Sequence, residues 1–395
     1  MTYLSYKKTN TYFPEKLIFF KGKLWLTSFF WDIFWFHSSL WLTFILLFLE
    51  PKFFSDVIYA IGIFIFWIAH RFSSLYLAWG TKSFRPLCQK QPLRFKVFPC
   101  FIGFGVFIFV FLIPEYFFPF STLERIFCLF MIDFIWGTHH FAAQHYGMLR
   151  LFQNFYNKQH SIFMKNEDRF FCWGVGGVMV IIAEILHGTS YLQDRNLIPL
   201  PSSISSFEHF LFLKIFGTTL VLVFTIFMIY KAFIYKTGLP KVLYILGLGT
   251  MVIGAFQLEP FQFLMLWTLQ HWMVSLGLAC HIGRNDLKKT NMKVLSNGRK
   301  LYDKFSKKIF LPFCLCVFSV LMTPFFEIEA VSLNESYSEK IFPDLMKWLW
   351  GSDCVLFFIA LGISTGFLHY WMDRTVYRFS DKETSMVTKK LIFLK

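Results

Sequence analysis

The sequence predicts an all-α fold, a polytopic integral membrane helix bundle of about ten transmembrane helices with both termini cytoplasmic, and three observations predict it. The 395 residues are 56% hydrophobic and only 16% charged, with a mean hydropathy of +0.51. That is more apolar surface than one soluble core hides, and it excludes a disordered chain. Apolar runs of the roughly 18 residues or more that cross a bilayer recur ten times. Finally, the basic residues sort into alternate loops, as the positive-inside rule requires.

The runs cover 24–49, 53–80, 97–119, 124–152, 170–190, 207–233, 240–258, 261–283, 309–326 and 345–372. The first follows Lys7, Lys8, Lys16, Lys21 and Lys23 and is too long for a cleavable signal, so it reads as a retained anchor. The second returns the chain to an inner loop holding Lys82, Arg85, Lys90, Arg94 and Lys96. The third and fourth end at Arg150, Lys158, Lys165 and Arg169, and the fifth and sixth at Lys231, Lys236 and Lys241. The seventh and eighth lead to a basic cytoplasmic loop, 284–308, whose KKTNMKVLSNGRKLYDKFSKK stretch suits an amphipathic surface helix. The last pair leads to a basic cytoplasmic tail, 373–395.

Of the 39 Lys and Arg residues, 32 fall inside, while the outer loops hold only Lys52, Arg125, Arg195 and Lys340. One error in the span count would invert every later loop, so the unbroken alternation supports the count. The net charge of +15 is thereby an orientation signal. It implies contact of the inner loops with anionic lipid and removes the motive for nucleic-acid binding. The chain reads as a single membrane domain, 1–395, in a cytoplasmic membrane. Seven of its eight cysteines lie within apolar runs and Cys88 lies in an inner loop, so no disulfide framework is expected.

Ionisable groups inside a bilayer are expensive and point to function by default. Here they are mostly histidines. Counting back to the nearest inner charge, His37 is 14 residues from Lys23, His70 is 12 from Lys82, His140 is 10 from Arg150 and His271 is 13 from Arg284. At 1.5 Å per residue all four sit about 15–21 Å deep, in one layer. His369 joins that layer if the last helix continues through Tyr377, whereas Glu184 and His187 lie toward the outer face. Helical phase places Asp133, His140 and Gln144 on one face and sets His369 and Asp373 one turn apart. His271 and His281 are too far apart on one helix to share a metal, and His281 is expected at the interface. Arg71 suits an anionic substrate group or a partner such as Asp32. Glu184 and His187 form half of a di-iron motif with no second half in any run. GVGGV at 174–178 reads as close helix packing.

Converging imidazoles can ligate iron, zinc or copper, clamp a haem, or relay protons. A lone intramembrane histidine more often bridges helices by a hydrogen bond; five at one depth point to a site. The HHFAAQH spacing at 139–145, the scattered single histidines including FHS at 36–38, and HYWMD near the C-terminus resemble the histidine-rich integral-membrane iron oxygenases. The outline is nearer to the Brp/Blh-like carotene-cleaving dioxygenases than to the fatty-acid desaturase and hydroxylase group, whose HxxxH and HxxHH boxes are absent. That resemblance implies iron held by His37, His70, His140 and His271, with His369 as a substitute. The expected function is a histidine-ligated, metal-dependent oxidoreductase acting on a lipophilic small molecule, an isoprenoid, acyl chain or quinone, with dioxygen as oxidant. Asp133 or Asp373 would orient a ligand imidazole or move protons. Alternatives are a transporter or channel using the same polar layer, a haem-binding electron carrier, and an assembly protein without a cofactor.

Overall fold

The computed structural model describes residues 25–48, 62–117, 119–156, 164–185, 207–258, 260–291, 310–326, 338, 342–351 and 354–393. Every regular element among them is helical. Six helices are long and apolar enough to cross a membrane, or seven if a bent pair near the start counts as one span. The outward faces of these helices are rich in exposed large side chains, Phe101, Phe104, Phe212, Ile215 and Phe216 among them. Apolar surface of that extent suits lipid rather than water.

The bent pair is α1 (Phe29–Phe36) and α2 (Ser38–Leu46), inclined at 61°. No proline causes the bend. The last five residues of α1, Asp32–Phe36, form a wide π turn that ends at His37, and such turns kink helices. The Asp32 carboxylate accepts hydrogen bonds from the backbone amides of Leu26 (2.6 Å) and Thr27 (3.1 Å), which ties down the entering chain.

Helix α3 (62–80) follows, then short α4 (Arg85–Lys90), α5 (Leu93–Leu112) and the long α6 (Thr122–Tyr156). The wide-turn GVGGV segment lies in α7 (165–185), where Gly177 comes close to Ala142 of α6. After α8 (Phe207–Ile234) and α9 (Leu239–Gln257), the chain enters α10 (Pro260–Asn291). Helix α10 extends past residue 283, where the sequence puts its end, and the expected surface helix beyond it lies largely outside the described residues. Helix α11 is Phe310–Phe326. The tenth expected run divides at Gly351 into α12 (Pro343–Trp350) and α13 (Val355–Val376). The basic tail is also more ordered than its charge suggests. Helix α14 (Lys382–Ile392), capped by Asp381 through the Thr384 amide, buries Leu391 and Ile392 against α10. Hydrogen bonds from the Thr384 hydroxyl and amide hold the Asp381 carboxyl below its usual range.

Helix α10 is the axis of the bundle. It is apolar all round and buried almost throughout, packing on α1, α2, α3, α9, α11 and α14. Small residues let it be surrounded. A Cβ added at Gly277 would lie 2.5 Å from the Trp35 Cβ of α1, an atom too near its own backbone to swing aside. Gly277→Ala is therefore expected to lower the heat-unfolding midpoint of the detergent-solubilised protein, by the roughly 1–3 kcal/mol that overpacking costs. An unchanged midpoint would show that the contact has room to relax.

Candidate metal centre

Four helices bring ionisable side chains to one buried point. His70 comes from α3, His140 from α6, His271 from α10, and His369 with Asp373 from α13; all five are buried. Ring centroids lie 4.2 Å apart for His70 and His369, 4.9 Å for His140 and His271, 5.2 Å for His70 and His271, and 5.3 Å for His140 and His369. Ligand atoms of His70, His271 and His369 lie within 4.8 Å of one another, and so do those of His140, His369 and Asp373. His369 belongs to both groups. Asp373 Oδ2 is 3.4 Å from His140 Nε2 and 3.6 Å from His369 Nε2.

The hydrogen bonding decides which ring nitrogens remain. His70 Nδ1 donates to the Trp67 carbonyl at 2.8 Å, which leaves the Nε2 lone pair facing inward. His369 Nδ1 meets the Ser74 hydroxyl at 3.2 Å. His70 Nε2, His140 Nε2, His271 Nδ1, His369 Nε2 and Asp373 Oδ1 are all buried without a hydrogen-bond partner. Each would cost on the order of 1–3 kcal/mol or more left so. Unpaired nitrogens on four neighbouring imidazoles, beside a carboxylate, fit a cation at their centre. The opposite ring nitrogens of His70 and His369 are fixed by partners behind them, as ligating imidazoles require.

Of the residues expected to ligate, His37 stands apart. Its Nδ1 is 2.9 Å from the Asp32 carbonyl and its Nε2 is 2.9 Å from the Pro240 carbonyl, so both nitrogens face acceptors. It joins α1 to the start of α9. Equal depth placed it in the ligand layer, but the turn at Asp32–Phe36 aims it at α9 instead. Asp133 is likewise outside the group. It is half-buried on α6, seven residues or about 10 Å along the axis from His140. His281 is buried, not interfacial: Nε2 lies 2.9 Å from the Ile392 carbonyl, and Asn285 donates to Leu391 O at 2.7 Å, so this pair receives α14. His145 bonds the Tyr244 hydroxyl at 2.6 Å, and His139 accepts from the Trp173 indole at 3.1 Å. Arg71 donates to the Gly362 carbonyl at 3.0 Å and stacks over Trp67, joining α3 to α13. Of the Glu184 and His187 pair, His187 lies outside the described residues.

Sequence reasoning missed three supports: Ser74, the Trp67 carbonyl, and Ser275, whose hydroxyl is 3.4 Å from Asp373 Oδ2. Ser74 had a legible signal, since it sits one turn after His70 on the same face. It also missed a second buried polar network. Asp168 of α7 takes Lys241 Nζ at 2.8 Å and Arg150 NH1 at 2.8 Å, while Lys241 also donates to Gln153 Oε1 at 3.0 Å. The sequence puts Arg150 and Lys241 at the inner ends of apolar runs; folding buries Lys241 with Asp168 and Gln153 and leaves Arg150 partly buried.

A cavity of about 530 Å3 adjoins the cluster, reached by His140, Asp373 and Ser275 at one end. Comparison with protein-family models, curated proteins and solved structures finds no match to this chain.

Proposed function

We propose that the chain is a ten-span protein of a cytoplasmic membrane, both termini inside, that holds a non-haem metal and oxidises a lipid-soluble substrate. The observation that carries this reading is the set His140, His369 and Asp373, two imidazoles and one carboxylate with unpaired atoms turned together, backed by His70 and His271. Two histidines and a carboxylate with open positions are the ligand type of non-haem iron oxygenases, and iron is the metal we assign. Ring packing favours a bare ion over haem. The His70 and His140 rings lie within about 5 Å of both His271 and His369, where a macrocycle held between the latter two would have to extend.

Bound there, the metal supplies activation of dioxygen; incorporation of both oxygen atoms into the substrate balances without an outside reductant. The protein supplies the rest. Ser74 keeps the His369 ring turned inward, and the Trp67 carbonyl does so for His70. Asp373 Oδ1 has no hydrogen-bond partner and would be the carboxylate atom offered to the metal, with the Ser275 hydroxyl donating to Oδ2 at 3.4 Å behind it. Tyr370, its ring centroid 4.9 Å from that of His140, and Trp136 line the cavity. Metal analysis with an optical spectrum on protein purified in mild detergent tests the reading. About one iron per chain without a Soret band is expected; a chain free of stoichiometric metal, or one carrying haem, overturns it.

A further inference from the structure

The cavity beside the cluster is long and electrically one-sided. It follows α6, being lined by His140, Ala143, Gly147, Leu151 and Asn154, positions that share one face of that helix. From His140 to Asn154 is fourteen residues, or about 21 Å along the axis. The deep end holds Asp373, and the walls between carry Leu278, Met148 and Tyr146. The shallow end is basic: Arg378, Lys165 and Lys389 line it together with Arg150, while Arg374 lines the cavity deeper, next to Asp373 and within electrostatic reach of His139. Asp168 neutralises Arg150. Arg374, Lys165 and Lys389 have no ion pair among the described residues. Of the carboxylates near this mouth, Asp381 lies between Arg94 at 3.6 Å and Arg378, Glu383 pairs with Lys90, and Glu167 lines a separate apolar groove. The result is a mouth with more cations than carboxylates above a mostly apolar shaft, of a size usual for small-molecule sites.

Resting on the oxidoreductase reading above, we infer that the substrate is a single-chain amphiphile with a phosphate head group, its head held by Arg378, Lys165 and Lys389 and its chain run down α6 to the histidine cluster. Arginine guanidinium groups match phosphate oxygens, and several cations at one mouth match a head group of more than one negative charge. The oxidised carbon then lies well along the chain from the head. A neutral hydrocarbon would match only the shaft and free phosphate only the mouth, whereas an amphiphile matches both.

The test uses the full chain in phosphatidylcholine nanodiscs, with radiolabelled dodecyl phosphate as probe and empty nanodiscs subtracted. Saturable binding of about one molecule per chain is expected, with dodecyl phosphocholine at least about tenfold weaker. Inorganic phosphate should compete only at about a hundredfold higher concentration. Arg378→Gln with Lys165→Gln should weaken binding about tenfold, with Arg374 left in place because it adjoins Asp373. Lys82→Gln with Arg85→Gln, an equal loss of charge on another inner loop, should not. A Cβ added at Gly147 meets nothing within 4 Å, so the side chain of Gly147→Phe starts in open space; this variant should block dodecyl phosphate while metal content and thermal midpoint stay unchanged. Equal binding of phosphocholine, no effect of the Arg378/Lys165 pair, or inorganic phosphate competing as well as the amphiphile overturns the inference. Metal is measured in the same samples, which separates the two readings. Amphiphile binding without metal sinks the oxidoreductase alone, and metal without amphiphile binding sinks this inference alone.

Discussion

His369→Ala is expected to abolish metal retention, whereas His37→Ala retains it. His369 is the residue shared by both ligand groups, so its loss leaves neither intact. His70→Ala removes one member and spares His140, His369 and Asp373, so it should bind metal more weakly without losing it. Ser74→Ala, which frees the His369 ring to turn, should cost about 10–100-fold in affinity, the range for a lost partner behind a ligand. His37→Ala should show the opposite pattern. It breaks the contacts to Asp32 and Pro240 that join α1 to α9, lowering the unfolding midpoint while metal content stays level. The measurement is metal per chain on each purified variant beside its thermal midpoint. Full metal on His369→Ala, or metal lost from His37→Ala at unchanged stability, would refute this assignment.

The largest expected effect on stability lies elsewhere, at Asp168. Its carboxylate and the Lys241 ammonium are fully buried. Asp168→Asn keeps the size of the side chain but removes the carboxylate that Lys241 and Arg150 share. Breaking a buried pair by removing one partner costs about 3–5 kcal/mol, enough to unfold many domains. Lys241→Met should cost less, since Arg150 remains on Asp168 at 2.8 Å. Replacing both, Asp168→Leu with Lys241→Met, should recover part of the loss, because the desolvation cost of the ions disappears with them. Unfolding midpoints of the three variants check the order. A double variant worse than Asp168→Asn would mean that the network stabilises through its hydrogen bonds and not through charge balance.

These two regions differ in how far the sequence disclosed them. His70, His140, His271, His369 and Asp373 are legible because a histidine in an apolar run is conspicuous and its depth follows from counting residues. Asp168 and Lys241 are not, since each sits where a run of apolar residues has ended and a charge is unremarkable. Their burial comes from the helices that close over them, α6, α7 and α9. The cluster itself was legible as a layer but not as a set. His37 shares the depth of His70, and Asp133 shares a helix face with His140, yet neither reaches the others.

What the sequence alone determined is the helical class of this protein, with its long apolar runs, and the position of its polar groups along those runs. Both follow from sums over local windows, hydropathy along a run and rise per residue, which need no knowledge of neighbours. What only the tertiary structure decided is which of those groups meet. That depends on the rotation of each helix about its own axis and on breaks such as the turn at Asp32–Phe36. A turn of about 100° per residue is enough to send one imidazole to a carbonyl of α9 and another to the shared centre.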